Sequence, residues 1–144
     1  MARARRPGRR EELLRRDVEV VSIHTFMSLH VVDPKGAEPL IGSDPCLEVR
    51  GRINEPIRDV TELVINVQPK ERPAVGSVRP LPVGSIVQIR PFVWAVVTFP
   101  RREFDLLWWM ALSGPLKHAY IVFTKPHFNN TLVTDLSLSN EPIE

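Results

Sequence analysis

The chain reads as a mainly β domain: an antiparallel β-sandwich or partly open barrel of about six strands, with one short helix (about 101–113) before the last two strands. Three observations predict it. Apolar and polar residues alternate along several runs, as in strands with one buried face. Fourteen prolines fall almost entirely between those runs, and spacers too short for helical crossovers favour antiparallel neighbours. Only the segment around Trp108-Trp109 has apolar residues on a helical period. A five-stranded barrel with the helix plugging one end is the alternative arrangement.

Residues 1–17 are set apart as a basic arm, disordered or marginally helical, and residues 18–144 as a single β-rich domain. The arm holds Arg3, Arg5, Arg6, Arg9, Arg10, Arg15 and Arg16 against three acids, a net of +4; the rest of the chain is net −2. Residues 1–10 have nothing to bury. From Arg9 to Asp17 the pairs Glu11–Arg15 and Glu12–Arg16 favour a helix, each by only about 0.2–0.5 kcal/mol.

The first strand runs over Val21–Val31, with Val21, Ile23, Thr25, Met27, Leu29 and Val31 on its inner face. Asp33-Pro34-Lys35-Gly36 is a turn, and 37–45 reads as loop. A second strand covers Cys46–Ile53, with a turn at Asn54-Glu55-Pro56. A third covers Thr61–Gln68, with Leu63, Ile65 and Val67 inward. Residues 69–84 contain four prolines and read as a stiff loop or an irregular edge. The long β-type run Ser85–Phe99 is interrupted by Pro91, which marks an edge or a bend because proline cannot donate to a ladder. Residues 117–125 and 131–139 form a hairpin around Pro126–Asn130.

The helix is bounded by Pro100 and by Ser113-Gly114-Pro115. Phe104, Leu107, Trp108 and Ala111 form one apolar stripe; Leu106, Trp109 and Met110 form a second, about a quarter-turn away. One stripe can bury against a sheet, and the other needs a separate cover.

Little chemistry is legible. Cys46 is the only cysteine, which rules out an intramolecular disulfide and a cysteine-based zinc site and favours a reducing, cytoplasmic setting. Cys46 itself reads as a small buried hydrophobe. His24 and His30 share a strand face but lie about 20 Å apart along it, too far to chelate one ion. The glycines form no phosphate-binding pattern and no serine sits in a nucleophile elbow. Asp33, Asp44 and Asp59 read as turn residues, and Asp105 as a first-turn helix acid. No apolar run approaches the ~20 residues that span a bilayer, and Glu11-Glu12 break any leader-like stretch. No cofactor is expected.

Three functional classes follow. The first is a non-enzymatic interaction or assembly module, homo-oligomeric or bound to a protein partner through Leu106, Trp109 and Met110. The second is a nucleic-acid-associated protein using the seven arm arginines, whose guanidinium forks match phosphates. The third is an enzyme or small-ligand binder with a site near His24, Asp135 or His118.

Overall fold

The computed structural model describes residues 12–32, 40–70, 83–114, 116–125 and 131–141, without the side chains of 29–32 and 40–44. Strands dominate, as expected. They are β1 (Leu13–Val32), β2 (Leu40–Ile57), β3 (Val60–Lys70), β4 (Gly84–Gln88), β5 (Val93–Pro100), β6 (His118–Thr124) and β7 (Leu132–Ser139). One helix, α1 (Arg101–Ser113), joins β5 to β6. The strands close into a barrel in the order β1-β2-β3-β5-β4-β7-β6, with β6 returning to β1. The barrel is therefore closed, with seven strands, in place of the sandwich or partly open barrel of about six. The seventh strand arises because the run 85–99 is two strands: it folds back around Pro91, and β4 then pairs antiparallel with β5.

The all-antiparallel expectation fails at one seam. β3 and β5 are parallel, from Leu63 opposite Val93 to Lys70 opposite Pro100. Parallel neighbours need a crossover. Here a strand supplies it: the chain descends as β4 on the far side of β5 before rising as β5. Followed once around, the register passes Thr25, Leu47, Val67, Val97, Gly84, Val133 and Phe123. It re-enters β1 at Leu14, eleven residues from its start. Such a stagger means steeply tilted strands and an interior filled by side chains. Val49, Ile65, Ala95, Ile121 and Phe123 are among those fillers, all essentially inaccessible. At Gly84 the β5 backbone comes so close that a side-chain carbon would run into the Val96 carbonyl, so only glycine fits.

The arm boundary is corrected. β1 begins at Leu13, and Leu13–Glu19 pair residue by residue with Thr124–His118 of β6. Residues 13–17 are strand, not helix, because the β6 edge offers a full ladder while the i,i+4 ion pairs offer little. Arg3, Arg5, Arg6, Arg9 and Arg10 lie outside the described residues, as do the 33–36 turn and the 126–130 loop.

The inner face of β1 holds at Ile23 and is corrected at Val21, Thr25 and Met27. The register slips between Val20 and Ser22, leaving Val21 as an extra, exposed residue. Val18 is buried and Val20 and Ile23 pack on the core, whereas Thr25 and Met27 are exposed. Residues 40–45, expected as loop, are the start of β2 and pair with the end of β1. The β2–β3 turn is not at Asn54–Pro56: strand continues to Ile57, and the chain reverses at Arg58-Asp59, both with positive φ (46° and 68°). No helix among the described residues is long and apolar enough to cross a membrane.

Strand directions sort the connections. β2, β4 and β6 finish, and β1, β3, β5 and β7 begin, at one end of the barrel, the turn end. β1, β3, β5 and β7 finish at the other, the helix end, where α1 follows β5.

Candidate functional site

α1 follows β5 without a break. Pro100 stands at its N-cap with no side-chain cap bond, and Glu103 supplies a first-turn acid. Asp105 lies deeper than the first turn and pairs instead with Arg101, one turn back, at 3.2 Å. At the far end the Ser113 hydroxyl donates to the Trp109 carbonyl at 2.7 Å, and the Gly114 N–H donates to the Met110 carbonyl at 3.2 Å. Gly114 is extended, so its left-handed freedom is unused, and the chain runs on toward buried Leu116.

The inner stripe packs as expected. Phe104 and Leu107 are buried, and Trp108 and Ala111 lie partly buried against the core. The Phe104 and Trp108 rings are 5.9 Å apart at 44°, within the range of favourable aromatic pairs. Burying these side chains stabilises the docked helix by roughly 1.5–3 kcal/mol for each fully covered one.

The outer face is bare. Leu106 is 58% exposed, Trp109 69%, Met110 45% and Leu112 61%. Leu112 extends the stripe of Leu106, Trp109 and Met110 because its position on the helical wheel falls beside the Trp109 edge. Two further apolar side chains, Phe26 (52%) and Met27 (59%), are exposed on β1 and, as strand neighbours, point to opposite faces. Alternation places Met27 on the inner face, opposite buried Pro45, but its own side chain is left uncovered.

The other candidates are dispersed. Arg15 is exposed on β1. Arg16 falls on the inward series with Val18; its side chain is 13% exposed and donates to the Glu55 carbonyl (3.0 Å) and the Arg15 carbonyl (2.9 Å). The Glu55 carboxylate lies 3.9 Å away. Arg16 is thus a strut between β1 and the β2–β3 hairpin, and does not present its guanidinium to phosphate as Arg15 can. His24 is exposed on β1 and Asp135 on β7. His118 lines a cleft of about 530 Å³ with Asp17 and Glu19, in which neither His24 nor Asp135 takes part. Among the described residues no three His, Cys, Asp or Glu side chains come close enough to hold a metal.

A groove of about 600 Å³ crosses the outer surface of β1, β2, β3 and β5, lined among others by Glu48, Arg50, Arg52, Glu62, Phe92 and Trp94. Glu48 and Arg50 pair at 3.2 Å, and the four charges cancel. The Trp94 indole N–H is buried with no acceptor among the described residues. Cys46, at the rim where β2 enters the barrel, has its thiol pKa raised by burial and then by the Glu48 carboxylate. Compared with protein-family models, curated proteins and solved structures, the chain has no significant match.

Proposed function

We propose that the chain is a protein-interaction and assembly module, acting by self-association through the outer face of α1, and not an enzyme. The observation that carries this reading is the exposure of Trp109 beside Leu106, Met110 and Leu112 on a helix whose other stripe is already buried. Clustered apolar side chains of this size on a small domain mark contact surfaces, and tryptophan dominates the energy of such contacts when covered. The test is the solution mass of wild type and Trp109→Glu by size-exclusion chromatography with light scattering. The expected result is an oligomer for wild type and a folded monomer for the variant. An unchanged, folded oligomer from Trp109→Glu removes α1 as the contact.

A second reading, nucleic-acid association, is favoured by one arrangement: Arg50 and Arg52 share a groove with Phe92 and Trp94, pairing cationic forks with stacking surfaces. Glu48 and Glu62 in the same groove weigh against it. Its signature is a filter-binding constant that falls steeply with salt and falls again when residues 1–11, with five arginines, are removed. Binding indifferent to both changes rejects this reading.

A further inference from the structure

The groove on the outer surface of β1, β2, β3 and β5 holds two aromatic side chains on one wall. Phe92, just ahead of β5, and Trp94, within it, flank fully buried Val93, and both border the groove. Two positions along a strand are roughly 7 Å, about twice the contact distance of carbon, which suits two rings that hold a flat third. Neither ring is paired: among the described residues the only aromatic contact is Phe104 with Trp108. The Trp94 indole N–H is buried, so the part of its ring that borders the groove is carbon.

Strand register places polar groups at graded distances from these rings. Val64 of β3 lies beside Trp94, and Glu62 and Asn66 share its face, one strand or about 5 Å away. Arg50 lies opposite Val64 and Arg52 opposite Glu62 on β2, two strands or roughly 10 Å from β5. Glu48 holds Arg50 at 3.2 Å. Arg52, Glu62 and Asn66 make no hydrogen bond or ion pair with any described residue. Across the sheet the groove thus offers flat carbon, then an acceptor and an amide, then an unengaged guanidinium.

We infer that this groove binds one nucleotide, with its base on Phe92 and Trp94, its sugar hydroxyls at Glu62 and Asn66, and its phosphate at Arg52. Ring, hydroxyls and anion follow one another in a nucleotide in that same order. A carboxylate only accepts, so Glu62 selects hydroxyl or ring N–H donors. The guanidinium fork of Arg52 matches phosphate oxygens bidentately. Charge sets the number of phosphates: Glu48 already neutralises Arg50, and Glu62 beside Arg52 repels a second anion. One phosphate is therefore accommodated and a run of them is not, which makes the ligand a free nucleoside monophosphate and not a residue of a nucleic-acid strand. No residue of α1 takes part, so the site stands apart from self-association.

Calorimetric titration of the full chain tests this, with AMP, UMP, adenosine and ATP as probes. At least one monophosphate should bind, and AMP should bind about tenfold more tightly than adenosine and more tightly than ATP. Arg52→Gln should bring AMP down to the affinity of adenosine. Phe92→Leu keeps an apolar side chain and should weaken AMP and adenosine alike, about fivefold, through the lost ring face. Circular dichroism checks the fold of both variants. No heat from AMP or UMP at millimolar concentration overturns the site. ATP binding more tightly than AMP, with both variants indifferent, shows attraction to anions alone and also overturns it. A single strand of adenylates that displaces AMP better than free AMP does, at equal nucleotide concentration, overturns the free nucleotide as the ligand.

Discussion

Cys46 and Arg16 show how single residues are committed by their surroundings. Cys46 sits one residue before fully buried Leu47, and its thiolate would lose solvation and face the Glu48 carboxylate. Both effects disfavour the charged form, so the folded pKa lies above that of the unfolded chain. The corresponding stability is fully present below the unfolded thiol value and is lost as pH rises through the folded one. Because the thiolate is the nucleophile, iodoacetamide should modify the native chain more slowly than the denatured chain at about pH 8. The native rate–pH profile should also be displaced to higher pH, and Glu48→Gln should move it part of the way back. Superimposed native and denatured profiles would show that the site does not perturb the thiol. Arg16 is the opposite case, a charge retained in a mostly enclosed position because the Glu55 carbonyl and carboxylate both face it. Composition placed it in a basic arm; the period-2 series with Val18 places it in a strand.

At the scale of elements, legibility followed locality. α1 could be read to its ends because Pro100 and Gly114 bracket it and two apolar stripes recur on one period. β3 could be read because Leu63, Ile65 and Val67 alternate without a slip. The β2–β3 turn could not, since Arg58-Asp59 adopts positive φ without the glycine or asparagine that usually announces it, while Pro56 three positions from Ile53 imitates a turn. β1 defeated pattern reading in two ways. Val21 is an extra residue, so alternation counted from it misplaces Val21 itself; farther on, Thr25 and Met27 lie opposite buried Leu47 and Pro45 and yet are exposed, so alternation there no longer reports burial. The same limit applies to the candidate site. Leu106, Trp109 and Met110 were visible as a helix face, whereas the exposure of Phe26 and Met27 shows only in the structure, because neither stands out in the alternating series.

The whole molecule depends on a seam that lies in the stretch composition assigned to the arm. Barrel closure is made by Leu13–Glu19 against β6, extended by the bond from the Val20 N–H to the Lys117 carbonyl. The opposite seam is shorter: among the described residues β4 meets β7 through the pairs Gly84–Val133 and Ser85–Leu132, flanked by bonds from the Val83 N–H to the Val133 carbonyl and from the Ile86 N–H to the Thr131 carbonyl. A barrel with one short seam cannot lose the other and keep its edges satisfied: β6 would present an unpaired ladder, and Leu14 and Val18 would leave the core. Two truncations therefore separate arm from barrel. A chain beginning at Glu12 keeps all seven β1–β6 pairs and should unfold with the wild-type midpoint in urea. A chain beginning at Val18 loses five of them, together with the Arg16 strut, and should be destabilised by several kcal/mol or fail to fold cooperatively. Equal midpoints for the two truncations would mean that closure through β1 contributes little. The stability of the β-body would then rest on the remaining strand pairs and on α1.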